Sequence, residues 1–181
     1  MSRRLAVGGV PVGGGSPVAI QSMTTTFTSD TEKTLGQIFR LAEAGCDIVR
    51  VSVRDEEDAR AIRALKEKSP LPVVADIHFS ARLAVLSIES GADKVRINPG
   101  NIGGEGKIKL VADCIRAHHI PVRVGANTGS VEREYLSRYG KSAEALVESA
   151  LHNVSVLERF GVQDIVISVK ASTEPLTVRA Y

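Results

Sequence analysis

Six times the chain runs a short apolar stretch into polar residues and then into a segment with helical spacing, and this repeat limits the possible folds more than any other feature. The apolar stretches are residues 17–22, 47–53, 72–76, 93–97, 121–125 and 163–169, rich in valine and isoleucine. Helices are expected over 31–44, from a cap at Asp55 to the stop at Ser69-Pro70, and over 80–90, 105–118 and 142–160. Another helix begins after Thr173, and Gly45 and Gly91 act as stop signals. Residues 126–141, which hold Gly129 and Gly140, read as a long loop. Residues 3–12 carry two short apolar runs around Gly8-Gly9, which fits a small hairpin capping one end of the fold.

Continuous apolar strands alternating with helices form a parallel sheet covered by helices, so the fold class is α/β. A doubly wound sheet and a (β/α)8 barrel share that pattern, and the position of the polar residues separates them. Serine and threonine follow the first strand. Arg50 and Ser52 mark the second, Asp76 and His78 the third, Arg96 and Asn98 the fourth, Arg123 and Asn127 the fifth, and Lys170 and Ser172 the sixth. A barrel converges all its strand ends on one mouth, whereas an open sheet converges two or three at a switch point. The expected architecture is therefore a (β/α)8 TIM-barrel type with an N-terminal β-hairpin. A full barrel takes about 250 residues. Residues 1–181 are accordingly expected to form a partial TIM-barrel domain, truncated after about six βα units.

Composition removes several function classes. The formal net charge is +2 and aromatic residues make up 4% of the chain, so neither a basic surface nor a base-stacking platform for nucleic acid is expected. No apolar h-region or membrane-length apolar run is present in the sequence, which points to the cytoplasm. Cys46 and Cys114 stand far apart without a CxxC spacing and read as two buried thiols, and no metal site is expected. His118-His119 at a helix end and His152 in mid-helix read as surface residues.

The candidate site is the set of cations at strand ends, Arg50, Arg96, Arg123 and Lys170. Guanidinium forks bind phosphate oxygens in pairs, and several at one mouth suit a diphosphate. The plainer role for them is ion pairing with a strand-end carboxylate such as Asp76. Lys170 also has the position of a Schiff-base lysine in barrel aldolases, although its cationic neighbours favour phosphate pairing. Asp76 and His78 lie two residues apart, on the same side if the strand pattern persists, and are the acid/base candidates; a structural pair holding Arg96 is the alternative. Asn98-Pro99-Gly100-Asn101 must turn, and Gly125 to Ser130 can offer backbone N–H groups to an anion.

Five stretches, VGGVPVGGGSPVAIQSMTTT, ADIHF, VRINPGNIG, VRVGANTGS and VISVKAS, resemble in order the N-terminal barrel of the 4-hydroxy-3-methylbut-2-enyl diphosphate synthase family of the non-mevalonate isoprenoid pathway. The resemblance implies an oxidoreductase that reductively opens 2-C-methyl-D-erythritol 2,4-cyclodiphosphate and eliminates water. It gives Arg50, Arg96, Arg123 and Lys170 the role of holding the diphosphate, with Asn98 and Asn127 as polar partners and Asp76 and His78 near the substrate. It further implies a [4Fe–4S] cluster held by three cysteines and a glutamate of a separate C-terminal domain, ferredoxin or flavodoxin as electron donor, and a homodimer. Neither Cys46 nor Cys114 lies in a cluster motif, so cluster ligands are not expected within these residues. The 181 residues alone are expected to bind diphosphate with millimolar or weaker affinity and to be inactive. The other readings are a pterin-binding-like transferase or a lyase barrel acting on a phosphorylated substrate, and a non-catalytic phosphate-binding module.

Overall fold

A computed structural model describes residues 2–181. Strands β1 (Leu5–Val7) and β2 (Val10–Val12) pair antiparallel, as the glycine-centred hairpin requires. The larger sheet has the strands β3 (Gln21–Met23), β4 (Ile48–Val53), β5 (Val73–Ile77), β6 (Lys94–Ile97), β7 (Val122–Asn127) and β8 (Ile165–Lys170). They are all parallel and lie side by side in chain order. The connecting helices are α1 (Thr31–Glu43), α2 (Glu56–Lys68), α3 (Ala81–Glu89), α4 (Pro99–Ile102), α5 (Glu105–His118), α6 (Arg133–Tyr139) and α7 (Ala143–Arg159), and α8 (Glu174–Ala180) follows β8.

Helix starts follow the capping chemistry in the sequence. Asp30, Asp55, Ser80 and Ser142 each accept a bond from the backbone N–H three residues on. The Asp55 carboxylate receives the Asp58 N–H at 2.9 Å. Asp55→Ala is expected to lower the unfolding free energy by about 1 kcal/mol, read as a lower urea midpoint at unchanged slope. A change in slope would instead indicate that the compactness of a state had changed.

Alternation along the strands sorts their side chains. Val49, Val51, Val73, Ala75, Val95 and Val124 join the main core with Ile38, Ile62, Leu65, Ile88 and Ile115 of the helices. The opposite face, which carries Arg50, Asp76, Lys94, Arg96 and Arg123, curls inward. Lys94 of β6 donates to Gln21 Oε1 of β3 at 3.1 Å although β4 and β5 stand between them. In a flat sheet three strand spacings would hold them roughly 14 Å apart. Helices on one face and a concave second face make a partial barrel and exclude the doubly wound sheet.

The hairpin closes the floor of the lumen. Val7 is fully buried against Ile48 and Val74 at the N-terminal ends of β4 and β5. At Gly8, with φ +53°, a Cβ would stand 2.7 Å from Asp93 Oδ1 and 2.8 Å from Pro72, so only glycine allows the turn to dock.

Three expectations are corrected. Residues 17–20 lie outside the sheet: β3 registers on β4 from Gln21 opposite Ile48, and Val18 is 93% exposed. The presumed loop over 126–141 holds the last two residues of β7 and the helix α6, which buries no residue fully and has no side-chain N-cap, so the usual signals were missing. Of the two thiols expected to be buried, Cys46 is buried, and Cys114 on α5 is only partly so.

Candidate functional site

The predicted strand-end cations stand at different depths in the lumen: Lys170 ends β8, whereas Arg50 lies at the third position of β4 and Arg123 at the second of β7, so these two are wall residues and not strand ends. Asp76, at the penultimate position of β5, is the hub. Its carboxylate lies 3.2 Å from Arg96 Nη1, 3.5 Å from Arg50 Nε and 3.8 Å from His78 Nε2. The Asp76 side chain is 6% exposed, whereas His78 stands half-exposed at the rim. Pairing between Asp76 and the arginines is thus real, and it satisfies only part of the charge.

In the sheet register Arg96 lies beside Arg123, one inward position beyond the row of Arg50 and Val74. Lys170 lies opposite Asn127, two inward positions beyond Arg123. Barrel strands climb by about one residue each. That stagger levels Arg50 with Arg96 and leaves Lys170 nearer the C-terminal rim than Arg123. Arg96 lies across β7, where Gly125 makes room: a Cβ there would be 3.2 Å from Arg96 Nη2.

Lys94, two residues before Arg96 and on the same face, is absent from the strand-end set because it begins its strand. It is 3% exposed, and Gln21 is its hydrogen-bond partner. Burial first, then the Arg123 and Arg50 charges, push its ammonium down to about 8. Burial, followed by repulsion from Arg50, also lowers the pKa of Arg123, and the Arg123 Nε is buried without a partner. Among the described residues, five cations on the inner face (Arg50, Lys94, Arg96, Arg123 and Lys170) thus stand against one carboxylate on that face, Asp76.

The two strand-end asparagines have the same geometry. Asn98 Oδ1 accepts the Gly100 N–H at 3.1 Å and Asn127 Oδ1 accepts the Gly129 N–H at 3.0 Å. Each carbonyl is committed to its own turn, and each NH2 group remains available to a ligand. Asn98 also caps the short helical turn α4, where the sequence reading placed a plain turn. The site therefore presents mainly donors and cations, the complement of a phosphate-bearing ligand.

The two cysteines are engaged separately. Cys46 Sγ faces the carbonyls of Ile20 and Ile48 at 3.4 and 3.0 Å, and Cys114 pairs with His118 on α5. Among the described residues no group of three or more His, Cys, Asp or Glu is placed to hold a metal ion, and no helix is long and apolar enough to cross a membrane.

Comparison with known proteins agrees with this architecture. A truncated 3-deoxy-D-arabino-heptulosonate 7-phosphate synthase from Thermotoga maritima superimposes with a TM-score of 0.66 at 14% identity, over 95% of this chain and 59% of that one. Dihydropteroate synthase from Yersinia pestis gives 0.63 at 13% identity, over 91% and 62%. At such identities the likeness shows the fold alone. Curated proteins named 4-hydroxy-3-methylbut-2-en-1-yl diphosphate synthase (flavodoxin) are far more similar. The one from Caldanaerobacter subterraneus subsp. tengcongensis is 53% identical over all of this chain and 51% of its own length. The one from Brevibacillus brevis is 52% identical over 97% and 49%. The chain thus spans about half the length of these relatives. The family model described as GcpE TIM-barrel domain matches residues 2–181, and the chain belongs to that family.

Proposed function

We propose that the inner face binds the diphosphate of a small cyclic ester, and that the chain is the substrate-binding barrel of a reductase converting 2-C-methyl-D-erythritol 2,4-cyclodiphosphate to 4-hydroxy-3-methylbut-2-enyl diphosphate in the cytoplasm. The observation that carries this reading is the excess of five inward cations over one carboxylate, with a buried unpartnered Arg123 Nε among them. Arg50, Arg96, Arg123 and Lys170 hold the diphosphate oxygens, and the NH2 groups of Asn98 and Asn127 add neutral donors. Asp76 orients Arg50 and Arg96 and, with His78 at the rim, stands where a proton can pass to or from a substrate hydroxyl.

Ring opening with loss of water consumes two electrons, and among residues 2–181 no group of three or more His, Cys, Asp or Glu is placed to hold a metal centre that would supply them. We place the [4Fe–4S] cluster, reduced by flavodoxin or ferredoxin, in the remaining half of the relatives' length, and the active assembly as a homodimer. The relatives' names, which include flavodoxin, support the donor. The residues described here bind and position the substrate without turning it over.

The test is an NMR titration of the 181-residue chain with inorganic diphosphate and with the cyclodiphosphate. Saturable millimolar binding of both is expected, with shifts at Arg96, Asn98 and Asn127. Shifts without saturation, or shifts that sulfate reproduces at equal concentration, would remove the diphosphate reading.

A further inference from the structure

The buried polar groups behind the mouth form a chain that the strand-end cations do not explain. Asn153 of α7 is 3% exposed, on a helix face otherwise filled by Ala150, Val154 and Leu157. Its Oδ1 accepts the Gly100 N–H at 3.1 Å, the same N–H that Asn98 Oδ1 accepts at 3.1 Å. Its Nδ2 donates to Ser149 O at 2.8 Å and to Glu132 Oε1 at 3.0 Å. The second oxygen of Glu132 is buried with no partner.

These contacts fix which way the Asn153 amide faces. A carboxylate and a backbone carbonyl can only accept, so the NH2 must face Glu132 and Ser149, and the carbonyl must face Gly100. Reversing the amide would set two acceptors against the carbonyl and a donor against the Gly100 N–H. Glu132 follows the turn that contains Asn127, while Gly100 lies in the turn that starts at Asn98. The chain Glu132–Asn153–Gly100–Asn98 therefore fastens the β6 turn to the β7 loop. A buried carboxylate oxygen without a partner destabilises the fold, so a latch built for stability alone would use a neutral acceptor there.

We infer that Glu132 and Asn153 are positioning residues for the anion site: they orient the Gly100 N–H and so hold the Asn98 carbonyl in its turn, leaving its NH2 for the ligand. The inference rests on the diphosphate reading above. Neither residue touches the ligand; both act through Asn98.

The experiment is a double-mutant cycle on the 181-residue chain, with inorganic diphosphate as probe and amide hydrogen exchange at Gly100 as a ligand-free readout. Glu132→Leu is expected to weaken diphosphate about five-fold and to speed Gly100 exchange about ten-fold. Glu132→Gln, which keeps an acceptor for Asn153, is expected to restore both. In an Asn98→Ala background Glu132→Leu should cost no further affinity. An additive loss in that background, or failure of glutamine to rescue, overturns the positioning role and leaves a packing role. If Glu132→Leu does not fold, Asn153→Asp removes the donor to Glu132 and carries the same cycle. No saturable binding by the wild-type chain, with Gly100 exchange still responding, would mean that the diphosphate reading had failed and that the latch serves only the turn.

Discussion

Replacing Lys94 by methionine is expected to stabilise the chain by about 2 kcal/mol at pH 7 and to raise its melting temperature by about 4–8 °C. Lys94 is buried in the lumen beside Arg123 and Arg50, and its pKa falls from the ordinary 10.5 to about 8. The unfolded chain therefore binds a proton more tightly than the folded one. Below pH 8 the whole penalty is present. Between about 8 and 10.5 it is relieved as the folded ammonium loses its proton first. At roughly 1.4 kcal/mol per pKa unit the penalty is about 3 kcal/mol, and losing the bond to Gln21 offsets about 1 kcal/mol of the gain. The difference between Lys94→Met and wild type should shrink as pH rises from 8 to 10, measured by urea unfolding at each pH. A difference that stays constant over that interval would mean that the charge of Lys94 is not what destabilises the fold. The same substitution removes a cation from the lumen wall, so the stabilised variant is also expected to bind inorganic diphosphate more weakly.

Lys94 also shows where sequence reading stops. Reading polar residues as strand ends singles out Arg50, Asp76, His78, Arg96, Asn98, Arg123, Asn127 and Lys170, although Arg50 and Arg123 lie inside β4 and β7 and line the lumen wall. The structure places His78, Arg50 and Arg96 each in reach of Asp76, and the register sets Arg123 beside Arg96. Lys94 opens its strand, and its importance depends on the sheet curling until β6 meets Gln21 of β3, which no local pattern encodes. Its period-two spacing from Arg96 was the available signal. Asn153 and Glu132 likewise reach Gly100 across more than a helix of sequence, although an asparagine among alanine and leucine on a helix face was a visible mark. Capped helices were legible at both ends. The apolar run over 17–20 misled because apolar composition alone does not supply a neighbouring strand, and β4 does not begin until Ile48.

Asp76→Asn and Arg96→Ala are expected to move stability and ligand response in opposite directions. The Asp76 carboxylate is the counter-charge for Arg50 and Arg96, all three largely withdrawn from solvent. Its removal leaves two guanidiniums unbalanced in an already cationic wall. Breaking a buried pair this way costs about 3 kcal/mol at the lower end of its range, and both arginines retain some exposure. A bound diphosphate supplies the missing negative charge, so Asp76→Asn should unfold earlier than wild type and regain more on adding ligand. Arg96→Ala removes a cation and leaves Asp76 with Arg50 and His78, so its intrinsic stability should change little. It also removes charge-assisted bonds of about 1.5–3 kcal/mol, which weakens diphosphate by about ten-fold or more and nearly abolishes the ligand-induced rise in melting temperature. Thermal unfolding of both variants at zero and saturating inorganic diphosphate decides the matter. Equal loss of the ligand-induced rise in the two would mean that Asp76 and the phosphate oxygens do not compete for the same guanidiniums. Asp76 would then act on the anion directly or through the backbone, and the excess of lumen cations would need a different counter-ion.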